Sequence, residues 1–178
     1  MRFMYRPARS QAQIDEPYAR MRAEGLLPYA MYAFADPGLE DWRRVTAPEK
    51  GLLLRCEDAQ GRLLACGLFS PLLGKIWQFD FTAFRESAHL APLMARQAFA
   101  WIFDRQDCAG IMGLCPAPNR HAWRLAEAVG FNVLGRLPKA CFYARKQNYV
   151  DGVLVLCTPR SLASATSLAN GDSRAALK

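Results

Sequence analysis

Side chains that hold metals or build covalent catalytic centres are scarce in this sequence. There are two histidines, His89 and His121, and the six cysteines (Cys56, Cys66, Cys108, Cys115, Cys141 and Cys157) include no C-x-x-C pair. A structural zinc site needs four converging ligands, and this spacing offers no such set, so no metal is expected. The cysteines lie among apolar residues and read as reduced thiols. No apolar core of a signal peptide stands at the N-terminus, so the expected location is cytoplasmic. No apolar run approaches the roughly 20 residues that cross a bilayer, so no membrane partner is expected. Dense Lys/Arg runs and interleaved basic and aromatic residues are also missing, which argues against a nucleic-acid groove. The formal charge of +7 divides into +5 for the body and +2 from Arg160 onward. This moderate bias suits a solvated surface, and also a phosphorylated ligand or an acidic partner.

What is present suits one globular unit over residues 1–159, with 52% of the 178 residues hydrophobic and no repeat or internal linker. Residues 160–178, rich in Ser, Ala and small polar groups, are expected to be disordered. Met1 to Ala8 alternates as a strand does, and Ile14, Tyr18 and Met21 then fall at helical spacing. Pro28 to Phe34 reads as extended, and Asp36-Pro37-Gly38 breaks the chain before a short helix carrying Trp42. From Gly51 a meander of three antiparallel strands is expected at Leu52–Cys56, Leu63–Ser70 and Ile76–Phe84, with turns at Asp58–Gly61 and Pro71–Gly74. Leu90, Leu93, Met94, Ala98, Trp101 and Ile102 share a helical face, and Pro92 belongs in that helix's first turn. A short buried strand at Ala109–Cys115 and a helix carrying Ala122, Leu125, Ala126 and Val129 come next. Gly130 should end that helix with positive φ. Two extended stretches, Phe131–Arg136 and Ala140–Lys146, a turn at Asn148–Gly152 and a closing strand Val153–Cys157 complete the reading. The fold class is α/β (α+β): a mixed, mostly antiparallel sheet of about six to seven strands flanked by helices.

Two residues invite chemistry directly. Asp80 interrupts the apolar strand Ile76–Thr82 and shares a face with Gln78 and Thr82 by period-two alternation. It is either a partly desolvated carboxylate suited to taking a proton, or a mark of the strand's wetter face. Asn119 opens a helix, where it can cap the first turn. Cys115 and His121 have no spacing that faces them toward each other and no third orienting group, so a covalent mechanism is not expected.

The element order, together with the segment Asn119 to Phe131 (NRHAWRLAEAVGF), resembles the GNAT superfamily of N-acyltransferases. Asn119, Ala122, Leu125, Gly130 and Phe131 match the superfamily pattern Asn-x-x-Ala-x-x-Leu-Tyr-x-x-x-Gly-Phe at its spacing, and the resemblance runs from about Gly51 to Thr158. It implies an acyl-CoA-dependent N-acyltransferase that moves an acetyl group from acetyl-CoA, as co-substrate, to a small-molecule or peptide amine; a homodimer is one assembly compatible with the sequence, which does not itself set the oligomeric state. It further implies that the fourth and fifth strands splay, leaving backbone groups free for the pantetheine arm, and that the following helix start holds the pyrophosphate. Carried over by position, Phe81, Arg85, Ser87, Ala88, His89, Asn119 and Ala122 would contact the cofactor. Asp80 would serve as base, and Tyr143 would stand in for the missing acid. The helices after the first strand would border the acceptor, with Tyr29, Tyr32, Phe34 and Trp42 lining its pocket.

Two departures weaken the implied chemistry. The phosphate turn, Gln/Arg-x-x-Gly-x-Gly/Ala in the superfamily, is Arg85 to Leu90 (RESAHL) here: Ala88 replaces the first glycine, Leu90 takes the last position and Glu86 adds a negative charge. The tyrosine that usually protonates the leaving thiolate is replaced by Ala126. Degenerate members of this kind resemble GNAT-like proteins of phage and prophage origin. The alternative reading is therefore a catalytically inactive relative with a binding or structural role.

Overall fold

The computed structural model describes residues 3–175. Ser10 starts α1 (Gln11–Ala23), its hydroxyl accepting from the Gln13 backbone amide at 3.3 Å, and Tyr18 and Met21 are buried on the apolar face. Pro17 lies inside this helix and has no N–H to offer the Gln13 carbonyl one turn back. The guanidinium of Arg55, buried in the sheet, donates to that carbonyl at 2.9 Å and also bonds Glu57 at 2.8 Å and Glu16 at 2.7 Å. A helix defect and a buried charge thus satisfy each other, and α1 is tied to the sheet.

Seven strands form one sheet in the order β1-β2-β3-β4-β5-β7-β6. They are β1 (Met4–Pro7), β2 (Leu52–Glu57), β3 (Leu63–Leu73), β4 (Ile76–Ala83), β5 (Gly110–Pro116), β6 (Asn132–Tyr143) and β7 (Asn148–Cys157). Every neighbouring pair is antiparallel except β4 and β5, which run parallel. One face is covered by α1, α2 (Leu27–Ala30) and α3 (Leu39–Val45), whose Met21, Leu27 and Trp42 pack with Leu53, Cys66 and Phe84. The other carries α4 (Ala91–Arg105) and α5 (Arg120–Ala128) over a core that includes Phe69, Phe99, Ile111 and Phe131. Phe79, Phe99 and Phe131 lie with ring centroids 4.8 to 5.0 Å apart, close enough for aromatic contacts beyond plain area burial.

The mostly antiparallel mixed sheet, the meander and Pro92 in the first turn of α4 are as expected. So is Gly130, at φ +106°. Five local expectations are corrected. Pro28 to Phe34 is not extended: Pro28 enters the first turn of α2, where its missing N–H costs nothing. β3 continues through Pro71 to Leu73 with a register irregularity, so the turn is confined to Gly74 and Lys75. The two stretches after Gly130 are one strand, β6, with register shifts at Val133/Gly135 and Leu137/Cys141. Asn148 to Gly152 is no turn but the start of β7; the chain reverses at the 3-10 turn Ala144–Lys146 and Gln147. Finally, α6 (Pro159–Ala175) stands where disorder was expected from residue 160 onward, and residues 176–178 of that stretch lie outside the described residues. Thr158 and Ser161 exchange side-chain bonds with each other's backbone amides at 2.9 and 3.2 Å, a reciprocal helix cap, and Leu162 is buried against the main core.

Candidate active site

The parallel pairing of β4 and β5 lasts for three residue pairs, from Ile76↔Gly110 to Gln78↔Met112. Beyond them the strands part, and the facing edges from Phe79 and from Gly113 have no ladder partner. The parting is built into the side chains. A Cβ on Gly113 would stand 2.6 Å from the Phe79 ring, so that ring occupies the space beside β5. Tyr32, from the loop after α2, reaches into the gap and donates its hydroxyl to the Leu114 carbonyl at 3.0 Å.

The gap opens into a cavity of about 590 Å³, a volume that suits a ligand of cofactor-arm size. Its helical walls combine larger residues such as Phe99 and Leu125 with two rows of smaller ones: Ala88, Ala91 and Ala95 before and along α4, and Asn119, Ala122 and Ala126 at and along α5. Spacing of three to four residues puts each set on one helix face, and alanine there leaves room that a tyrosine or leucine would fill. Ala126, nearly fully buried, lines the cavity where a tyrosine side chain would reduce it. The Asn119 side chain makes no capping bond, although the residue sits at the helix start, and it lines the cavity instead.

A smaller cavity of about 150 Å³ lies toward α1 to α3, lined by residues such as Met21, Met31, Phe34 and Trp42. The two cavities share Ala30, Tyr32, Asp80 and Thr82. Asp80 therefore stands where they meet. Its side chain keeps solvent contact through the cavities, while the protein around it desolvates the charge; this burial raises its pKa to about 6. The groups facing it stay neutral at pH 7. Burial pushes the Cys66 and Cys115 thiols each up to about 12, and it carries the Tyr32 phenol above its usual range. A thiol so raised is a poor nucleophile, which speaks against covalent catalysis through Cys115.

The structure brings Asp80, Phe81, Ala88, Asn119 and Ala122 to the larger cavity and leaves the other four residues assigned from the sequence to catalysis or cofactor contact outside its lining. Tyr143 is buried at 5% exposure and lines neither cavity. The Ser87 hydroxyl points inward, to the carbonyls of Leu64 at 2.6 Å and Phe84 at 3.1 Å. Arg85 and His89 are exposed in the 3-10 turn Arg85–Leu90, where the Arg85 amide donates to Glu24 at 2.7 Å. The Glu86 charge meets Arg20 at 2.7 Å, and that hydrogen bond holds its carboxyl below the ordinary range. Tyr32, read from the sequence as pocket lining, proves to bridge the strand gap; nothing in its spacing marked that position. His121 also lines the cavity. Among the described residues no cluster of three or more His, Cys, Asp or Glu could hold a metal ion, and no helix is long and apolar enough to cross a membrane.

No protein-family model matches the sequence, and no curated protein matches it. Solved structures do match in fold. Spermidine N-acetyltransferase from Vibrio cholerae, in complex with CoA and spermine, superposes with a TM-score of 0.73 at 14% identity over 90% of this chain and 98% of that one. AAC(6')-Ib with ribostamycin and coenzyme A gives 0.72 at 15% identity over 90% and 96%. A GCN5-related N-acetyltransferase from Kribbella flavida gives 0.64 at 18% identity over 88% and 97%. The fold of this chain is the GNAT fold.

Proposed function

We propose that this chain is an acetyl-CoA-dependent N-acetyltransferase acting on an amine. The observation that carries the reading is the parting of β4 and β5 into an alanine-walled cleft with Asp80 at its junction with a second cavity. Solved proteins of the same fold hold CoA together with an amine, spermine in one and ribostamycin in another. Acetyl-CoA would supply an activated acetyl thioester. Unpaired backbone groups of β4 and β5 suit the amide-bearing pantetheine arm, with Phe81, Ala88, Asn119 and Ala122 along it. Arg85, exposed at the turn before α4, is the cation placed to meet phosphate outside the cleft, with the exposed His89 on the same turn.

Asp80 has the position and basicity of the proton acceptor. As the amine nitrogen bonds to the acyl carbon, the C–S bond breaks with its electron pair on sulfur, and Asp80 takes the proton that nitrogen loses. The departing thiolate is protonated by solvent, because the Tyr32 phenol, raised by burial and donating to the Leu114 carbonyl, keeps its proton. Tyr143, buried away from both cavities, has no part in this reading.

The test joins binding to turnover. A ligand present at 100 times its Kd stabilises by about 2.7 kcal/mol, which for a chain of this size corresponds to a Tm rise of about 5–10 °C. Millimolar acetyl-CoA should give that rise, and a primary amine should then release free thiol. Absence of both would overturn the proposal. Stabilisation without thiol release from any amine would favour the non-catalytic relative.

A further inference from the structure

We infer that the acceptor is a small monoamine with a compact apolar body, a single ring or a branched alkyl group, seated in the 150 Å³ cavity with its nitrogen at Asp80. The inference rests on the transferase reading and narrows it. The cavity wall is apolar: Met21, Met31, Phe34, Trp42, Val45 and Leu68 supply most of it. Trp42 turns its polar edge away, donating its indole N–H to the Ile14 carbonyl at 2.7 Å, so the pocket meets only its hydrocarbon surface. Tyr32 commits its hydroxyl to Leu114. Asp80 is the one charged residue in the lining.

Size and charge then select the ligand. An apolar cavity of about 150 Å³ is known to accept a benzene ring, so one ring or a four- to six-carbon branched chain fills this one. A second ammonium group on the acceptor would lie against Met, Phe and Trp without a carboxylate, at a desolvation cost that no partner offsets. Polycations and bulky amino-sugars are therefore disfavoured on different grounds, the first by charge and the second by volume. Because Asp80 belongs to both cavities, a nitrogen held there from the smaller one faces the cleft where the thioester would lie.

The experiment uses the full chain, acetyl-CoA and a thiol-release assay with benzylamine, spermidine and kanamycin at pH 8, beside a thermal shift with acetyl-CoA alone. Benzylamine should show a kcat/KM at least tenfold above the other two. Ala33→Phe, which fills the pocket from an exposed position outside the proposed catalytic groups, should raise the KM for benzylamine about tenfold while leaving the acetyl-CoA shift unchanged. If acetyl-CoA stabilises the chain but spermidine or kanamycin is the better acceptor, or no amine reacts, the monoamine inference is overturned and cofactor binding stands. If acetyl-CoA produces neither shift nor thiol release, the transferase reading itself falls.

Discussion

The carboxylate of Asp80 has no cationic partner among the described residues, and its raised pKa follows from burial. That cause has two measurable consequences with definite signs. For catalysis the useful form is the ionised one, so kcat/KM should climb as pH rises through about 6, and Asp80→Asn should lose about 10²-fold or more, the usual worth of a positioned base. For stability the sign is opposite. The folded pKa of about 6 lies above the ordinary 3.8, so the folded state holds the proton more tightly than the unfolded chain does. Stability from this group is full below 3.8 and is lost as pH rises through about 6. The asparagine variant has no charge to bury, so its Tm should gain on that of the parent between pH 4 and pH 7, then run parallel to it. A variant with parental activity would remove Asp80 from the mechanism, and a variant Tm that fails to rise relative to the parent's over that interval would show that burial does not raise its pKa.

Between α5 and β6 the chain turns at Gly130, where two requirements coincide. Its φ of +106° is a conformation that side chains rarely adopt, and an added Cβ would stand 2.9 Å from the Ser161 carbonyl oxygen and 3.1 Å from the Ala165 Cβ, both on α6. Gly130→Ala should therefore cost about 1–3 kcal/mol in urea unfolding, from backbone strain and overpacking, and trypsin should cut sooner at exposed Arg160 as α6 lifts. An unchanged midpoint would show that α6 does not bear on this turn. The same contact shows why part of the fold was hidden in the sequence. Gly130 was legible because helix termination is local chemistry, whereas its role as a seat for α6 depends on residues thirty positions away. The cap of α6 was present as Thr158-Pro159-Arg160-Ser161, but small polar residues downstream outweighed it in the composition. Gly152 misled in the other sense. It looks like turn chemistry, yet it lies inside β7 because a Cβ would stand 2.5 Å from Leu114 and 3.0 Å from the Cys141 sulfur. Within the site, Asn119 and Ala122 were readable from motif spacing and Asp80 from a broken apolar alternation. Tyr32 was named as pocket lining, but its bond to Leu114 was not readable, since the loop that aims it has no period.

Across the whole molecule the sheet is nearly two sheets. Strands β1 to β4 and strands β5, β7 and β6 meet through three parallel residue pairs, the Tyr32 bridge to Leu114 and the Phe79, Phe99 and Phe131 cluster behind them. An extended amide-bearing ligand laid in the parting would bond both edges and act as the missing length of ladder. Acetyl-CoA should then slow hydrogen exchange in Phe79–Ala83 and in Gly113–Cys115 together, because local openings of the two edges become one event. Ala122→Trp separates this effect from ordinary stability. Ala122 faces the cleft from α5 and is only partly buried, so an indole there fills ligand space without displacing the phenylalanine core. The variant should unfold within about 1 kcal/mol of the parent, as changes outside a packed core do, yet show no Tm rise and no added exchange protection at millimolar acetyl-CoA. If Ala122→Trp is still stabilised to the parental extent, the ligand does not run between β4 and β5, and the cleft would be an accident of two half-sheets that fail to meet.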